Sequence, residues 1–101
     1  MPTLAVKFDA SAIDVQTDAS LLHVTLADGR ELAAPLEWFP RLRDATPEQR
    51  KNWRFIGNGR GIHWPDLDED VSVENILAGK MSGESSKSFA RWLEARSRRS
   101  V

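Results

Sequence analysis

Two turn signals between runs of apolar and polar residues constrain this chain more than any other feature. They are Ala27-Asp28-Gly29, which separates Leu21–Leu26 from the run 30–36, and Asn58-Gly59, which separates Trp53–Gly57 from Arg60–Trp64. Glycine and asparagine accept the positive φ that tight hairpin turns require. The sequence therefore predicts two antiparallel β-hairpins.

The predicted sorting of side chains between the two faces of each hairpin fixes the pairing of its strands. A two-residue loop would mix apolar and polar side chains in the first hairpin, whereas a three-residue loop with Gly29 in the left-handed region separates them. That longer loop pairs Val24 with Leu32, Leu22 with Ala34 and Thr25 with Glu31. In the second hairpin the Asn-Gly turn pairs Trp53 with Trp64, Phe55 with Ile62 and Arg54 with His63.

Other segments predict further strands and three helices. Alternation predicts strands over Leu4–Phe8 and around Ile13 and Val15, where the two apolar residues alternate with Asp14 and Gln16. Thr46, Pro47 and Gln49 form the start of a short helix, Ser72 caps another over Val73–Ala78 that Gly79 ends, and a third spans residues 84–97. The predicted fold class is α+β: a small antiparallel hairpin sheet, a short helix between the hairpins, a second after them and a C-terminal helix.

Composition excludes several classes of protein. The 101 residues contain no cysteine, which removes disulfide frameworks, cysteine-bound zinc and thiol nucleophiles. No apolar run approaches the roughly 20 residues of a membrane span, and the N-terminus lacks the pattern of a secretory signal. We expect a cytoplasmic protein without a cofactor and without membrane contact.

Charge divides the chain into two parts. Residues 1–79 contain eight basic and thirteen acidic residues, and residues 80–101 contain six basic and two acidic ones. A short flexible stretch around Ser82–Ser86 separates them. We predict an α+β domain over residues 1–79 and a linker with a basic amphipathic helix over residues 80–101.

The C-terminal helix supplies candidate interaction residues. Phe89, Trp92, Leu93 and Arg96 follow one another at the i, i+3, i+4 and i+7 spacing of a single helical face. Two aromatic side chains three residues apart are not expected on a helix that is fully exposed to water. We therefore expect this apolar stripe to be covered by the α+β domain over residues 1–79, called the body below, or by a partner. Trp38 and Phe39 are further candidates, either in the core or on a partner surface.

A second candidate cluster consists of His63, Asp66, Asp68 and Asp70. These side chains could bind Ca²⁺ or Mg²⁺ weakly, or accept hydrogen bonds from backbone N–H groups in turns. The turn interpretation is favoured because the glycine and distal glutamate of an EF-hand loop are absent, so no metal site is predicted. No serine is predicted beside His23 or His63, so no catalytic residue is predicted and the protein is expected not to be an enzyme.

Several motifs resemble a known family, the small bacterial proteins called domain of unknown function 2442 (DUF2442). They are Asp28-Gly29-Arg30, the segments 35–42, 45–50 and 52–53, and the most specific one, 61–70. The resemblance covers about residues 12–79 and implies a compact α+β fold with no established activity. It also implies a setting, since some relatives lie beside or are fused to another small domain in arrangements typical of toxin–antitoxin pairs. Others carry a helix-turn-helix, for which residues 80–101 are too short.

The leading hypothesis is a non-enzymatic protein-interaction module, antitoxin-like or a regulatory partner of another small protein, with that protein or a second copy of the chain as its partner. The alternative is a nucleic-acid-binding transcriptional regulator that uses the basic tail. A metal-dependent or acid/base enzyme centred on His63 is the third class.

Overall fold

Two three-stranded antiparallel sheets with short connecting helices make up the fold, which confirms the predicted α+β class. The computed structural model describes residues 9–99, with side chains through Arg96, so the strand predicted over Leu4–Phe8 lies outside the described residues. The strands are β1 (Ala12–Thr17), β2 (Leu21–Leu26), β3 (Glu31–Pro35), β4 (Arg54–Ile56), β5 (Gly61–Trp64) and β6 (Glu69–Ser72). The helices are α1 (Pro40–Arg43), α2 (Pro47–Lys51), α3 (Val73–Leu77) and α4 (Ser86–Arg99).

The first sheet has the order β1-β2-β3. Leu22 pairs with Ala34, Val24 with Leu32 and Thr25 with Glu31, and Gly29 has a φ of +93°. The predicted three-residue loop and its register are therefore confirmed.

The strand predicted around Ile13 and Val15 is confirmed as β1, but the two side chains do not share a face. A bulge between Ala12 and Asp14 shifts the pairing of β1 with β2. Ala12 and Val15 consequently point into the core, and Ile13 is 57% exposed. One extra residue in a strand reverses the face on which the preceding side chains lie.

The second sheet has the order β4-β5-β6. Phe55 pairs with Ile62 and Arg54 with His63, as predicted; the ladder begins at Arg54 and so does not include Trp53 opposite Trp64. The prediction of turns alone after Pro65 is incomplete. A 3-10 turn over Pro65–Leu67 leads into β6, which pairs with β5 and places Asp70 opposite His63.

Helix ends follow the sequence closely. Thr46 and Gln49 form the predicted capping box at α2, and the Ser72 side chain accepts the Asn75 N–H at the start of α3. Gly79 follows α3 with a φ of +72°. The C-terminal helix runs over Ser86–Arg99, slightly later than the predicted residues 84–97.

The core lies between the two sheets. Its largest fully buried side chains are Trp64, Leu22, Leu26, Leu42, Ile62, Leu67 and Val24. The Trp64 indole N–H donates to the Arg50 carbonyl, and the Ala12 N–H donates to the Gly59 carbonyl at 2.7 Å, which joins the second hairpin to β1. No helix within residues 9–99 is long and apolar enough to cross a membrane.

Candidate functional site

The predicted stripe on α4 is divided between the body and solvent. Phe89 and Trp92 are half-buried, and their rings stack with centroids 5.8 Å apart at an interplanar angle of 21°. Trp92 packs against the core, whereas Leu93 is 39% exposed. The Arg96 guanidinium lies 4.6 Å from the centre of the Trp92 ring. The body therefore covers the aromatic part of the stripe and leaves its Leu93 edge open.

Arg41 of α1 fastens the start of this helix to the body. Its Nε and Nη2 donate to the two carboxylate oxygens of Glu84 at 2.8 and 2.7 Å. Its Nη1 donates to the carbonyl oxygens of Asp68 at 2.9 Å and Leu67 at 3.3 Å. The same guanidinium lies 4.8 Å from the centre of the Trp92 ring. Arg41 thus contacts the turn before β6, the segment before α4 and α4 itself.

The Arg41–Glu84 pair is well shielded from water. The two side chains are 16% and 8% exposed, and the Ser88 hydroxyl donates to the Glu84 carboxylate at 2.9 Å. The hydrogen bonds from Arg41 hold the pKa of Glu84 below its ordinary value. Bidentate charge-assisted pairs of this kind are stronger and more directional than ordinary surface ion pairs.

Glu69 lies close to the Arg41–Glu84 pair but makes no hydrogen bond to Arg41. One of its carboxylate oxygens, Oε1, accepts the Asp70 N–H at 3.2 Å. The other, Oε2, is inaccessible to water and makes no hydrogen bond within the described residues. Burial raises the pKa of Glu69 to about 7, although the charge of Arg41 opposes this. Glu69 belongs to a run of acidic residues, and its position opposite Trp64 in the unpredicted strand β6 is what sets it apart.

A shallow groove lies between α1 and α4. It has a volume of about 250 Å³, and its walls include Pro40, Arg43, Phe89, Ala90 and Leu93. The Arg43 guanidinium lies 5.6 Å from the centre of the Phe89 ring. This groove continues the exposed edge of the α4 stripe.

The other two interaction candidates are largely internal. Phe39 is only 4% exposed and belongs to the core. Trp38 is half-buried against the core, and its carbonyl accepts the Ser82 N–H at 2.9 Å. Phe39 therefore offers a partner little surface.

The predicted His63 cluster is divided among separate contacts. His63 Nδ1 pairs with Asp70 Oδ1 across the two strands at 2.5 Å, and the Asn52 amide donates to Asp66. Asp68 ends the 3-10 turn with a φ of +49°, and its carbonyl accepts from Arg41. No group of three potential metal ligands converges among residues 9–99.

The second imidazole, His23, also pairs with an aspartate. His23 Nε2 lies 2.9 Å from Asp18 Oδ2, and this hydrogen bond, together with those from the Ser20 and Leu21 N–H groups, lowers the pKa of Asp18 to about 2. The Ser20 hydroxyl lies 3.5 Å from the other Asp18 oxygen. The carboxylate stands between the hydroxyl and the imidazole, whereas a serine nucleophile needs the imidazole beside its hydroxyl. This arrangement supports a turn and not acyl transfer.

Another cavity lies away from all of these residues. It has a volume of about 440 Å³ and is lined in part by Ser11, Arg60, Ser72, Glu74 and Leu77. It includes neither imidazole, and the Ser72 hydroxyl is occupied by the cap of α3. Asp9 also lines the cavity, and one of its carboxylate oxygens accepts the Ser11 N–H at 3.0 Å.

Comparison with known proteins gives a fold and a family without an activity. A crystal structure of a protein of unknown function from Rhodospirillum rubrum is 28% identical, with a TM-score of 0.65 over 73% of this chain and 92% of that chain. A solution NMR structure of an uncharacterised protein from Chromobacterium violaceum is 29% identical, with a TM-score of 0.62 over 80% of this chain and 74% of that chain. No protein of curated function matches. The family model for the protein of unknown function DUF2442 matches residues 12–82, and the chain therefore belongs to that family.

Proposed function

We propose that this protein is a non-enzymatic protein-interaction module, and that α4 with the adjoining groove is its docking surface. The observation that carries the proposal is the open edge of the stripe. Leu93 is exposed on a helix whose Trp92 already packs against the core. A partner that buries Leu93 in the groove extends an existing apolar contact and needs no large rearrangement.

Charge indicates what kind of partner fits. Lys87 and Arg91 lie one turn apart on the exposed side of α4, and neither makes an ion pair within the structure as described. The segment 80–101 as a whole carries a net charge of +4. The surface therefore suits an acidic segment of another protein that places an apolar side chain against Leu93. Such complementarity accelerates association and selects against basic partners.

The test uses defined candidates. The tagged full-length chain is co-expressed with the product of each adjoining gene, and retention is measured at low and at moderate salt. Leu93→Glu and Arg91→Glu should each abolish retention of the true partner. Arg54→Glu is the matched control, because Arg54 is an exposed cation on β4, away from α4. Retention that survives both α4 substitutions, or no retention of any adjoining product, contradicts the proposal.

The basic side of α4 also favours a second candidate function, nucleic-acid binding. Lys87 and Arg91 are spaced so that both could neutralise phosphates of one strand. Duplex and single-stranded DNA are titrated with the chain at several salt concentrations. Binding that weakens steeply with salt and is lost in Arg91→Glu, but not in Leu93→Glu, supports this alternative and opposes docking through Leu93.

A further inference from the structure

Two carboxylates and one guanidinium meet where α4 joins the body. Glu84 precedes α4, Glu69 lies on β6 and Arg41 lies on α1. Arg41 gives two hydrogen bonds to Glu84 and two to backbone carbonyls. Glu69 receives a single backbone N–H, and its second oxygen is shielded and unbonded within residues 9–99. The Glu84 carboxylate is therefore fully hydrogen-bonded to Arg41, whereas the Glu69 carboxylate lies near the same guanidinium without a hydrogen bond to it.

We infer that Glu69 competes with Glu84 for Arg41, so that loss of the Glu69 proton weakens the attachment of α4 to the sheets. The attachment itself follows from the contacts of this chain alone. Its role as regulation of partner binding rests on the proposed function, because α4 carries the proposed docking surface.

The direction of the pH effect follows from the linkage between proton binding by Glu69 and the attachment of α4. While α4 is attached, Arg41 is held by Glu84 and Glu69 is favoured in its neutral form. When Glu84 leaves with the helix, Arg41 becomes available to pair with an ionised Glu69. The attached state therefore binds the Glu69 proton more tightly than the released state. Raising the pH must then favour release, since the state that holds fewer protons gains at high pH.

The relevant pH range lies near neutrality. Burial places the pKa of Glu69 at about 7, compared with 4.5 for an ordinary glutamate. If release restored the ordinary value completely, ionisation would change the attachment equilibrium by up to about 300-fold. Partial relief gives a smaller factor, and each pH unit by which the pKa falls corresponds to about tenfold.

Neighbouring charges are consistent with this direction. Arg41 from α1 lowers the pKa of Glu69, while Glu84 before α4 and Asp70 on the same strand raise it. His63 on β5 pairs with Asp70, the chain neighbour of Glu69. It is therefore the group from which Glu69 must be distinguished by experiment.

Release would change the surface that a partner meets. Trp92 packs against the core and the Arg41 guanidinium, and Phe89 is half-buried beside the Arg43 guanidinium. A detached α4 presents both rings together with Leu93 on one continuous apolar face. Release therefore exposes both rings but takes apart the groove between α1 and α4.

The first measurement tests the competition for Arg41. Carboxyl-carbon NMR titration follows Glu69 in the full-length wild type, in Glu84→Gln and in the control Glu48→Gln, which changes an exposed acid on α2. The pKa of Glu69 should fall by about one pH unit or more in Glu84→Gln and stay unchanged in Glu48→Gln. An unchanged pKa in Glu84→Gln overturns the inference.

The second measurement tests the coupling to the helix, without any partner, so that failure of the proposed function does not affect it. Backbone ¹⁵N relaxation of α4 is compared at pH 5.5 and pH 8.5. The helix should become more mobile at the higher pH in the wild type and in His63→Gln, and should stay equally ordered in Glu69→Gln. Equal order at both pH values in the wild type, persistence of the change in Glu69→Gln, or its loss in His63→Gln overturns the inference.

Discussion

The contact between the second hairpin turn and β1 permits a quantitative prediction from three glycines. Gly59 has a φ of +85°, and a Cβ built there lies 2.8 Å from the Ala12 carbonyl oxygen and 3.1 Å from its nitrogen. Gly29 has a similar φ of +93° with no atom within 4 Å, and Gly83 has open space and no positive φ. Alanine at these positions therefore separates backbone strain from steric contact.

The expected costs follow from those geometries. Alanine at Gly29 bears only the left-handed backbone, about 1–2 kcal/mol, partly offset by about 0.4–1 kcal/mol from a less flexible unfolded chain. Gly59→Ala adds displacement of the Ala12 backbone, at about 1–3 kcal/mol, and strains the 2.7 Å hydrogen bond from Ala12 to Gly59. We expect Gly59→Ala to destabilise the protein about 2–3 kcal/mol more than Gly29→Ala. Gly83→Ala should be neutral or slightly stabilising.

Urea unfolding followed by tryptophan fluorescence measures these differences, because Trp64 is fully buried and changes environment on unfolding. The midpoints are compared at a common slope. A chain of this length has about 5–10 kcal/mol of stability, so all three variants remain measurable. If Gly59→Ala costs no more than Gly29→Ala, the close approach of the turn to β1 is refuted.

Three further predictions concern the core, a helix cap and an ion pair. Leu67→Ala removes a fully buried side chain and should cost about 2–5 kcal/mol in the same urea assay; a cost below about 1 kcal/mol would show that the site is not packed. Thr46→Ala deletes the hydroxyl that accepts the Gln49 N–H and should cost about 1 kcal/mol, whereas no loss would contradict the capping box. His23→Gln should raise the pKa of Asp18 from about 2 towards 3.8, because the His23 hydrogen bond is its main cause. Carboxyl NMR measures that pKa, and an unchanged value would contradict the pairing. Because the folded-state pKa is depressed, the stabilisation from ionised Asp18 is present above about pH 4 and is lost as the pH falls towards 2; Asp18→Asn should lack this acid-dependent loss.

Local chemistry made the hairpins predictable. Gly29 and Asn58-Gly59 lie where the chain needs positive φ, and the face sorting of Val24 with Leu32 leaves one consistent register. The capping box at Thr46 is likewise encoded within four residues. In each case the residues that determine the structure are neighbours in sequence or are related through one short turn.

The features that the sequence did not reveal depend on distant partners. Strand β6 contains a single buried apolar residue, Val71, among polar neighbours, and it forms a strand because β5 offers a free edge. The bulge that turns Ile13 outward contains no turn-forming residue from which it could be predicted. Arg41 and Glu84 are 43 residues apart, and neither lies in a pattern that predicts the other. The candidate residues on α4 could be predicted from periodicity. The Arg41–Glu84 ion pair that positions them, called the clamp below, could not.

The contacts that hold α4 differ in kind from those that hold the two sheets together. Among the described side chains, the largest fully buried ones come from the two sheets, α1 and the turn at Leu67, and none comes from α4 through Arg96. The helix is attached instead through a half-buried tryptophan, stacked guanidinium groups and one bidentate ion pair. Burial of apolar surface is insensitive to pH and to competing charges, whereas an ion pair can be replaced by another carboxylate. The family match ends at residue 82, so Arg41 lies inside the family region and Glu84 just beyond it. The clamp therefore joins the family fold to its C-terminal helix by the one type of contact that a proton, or an acidic partner, can compete for.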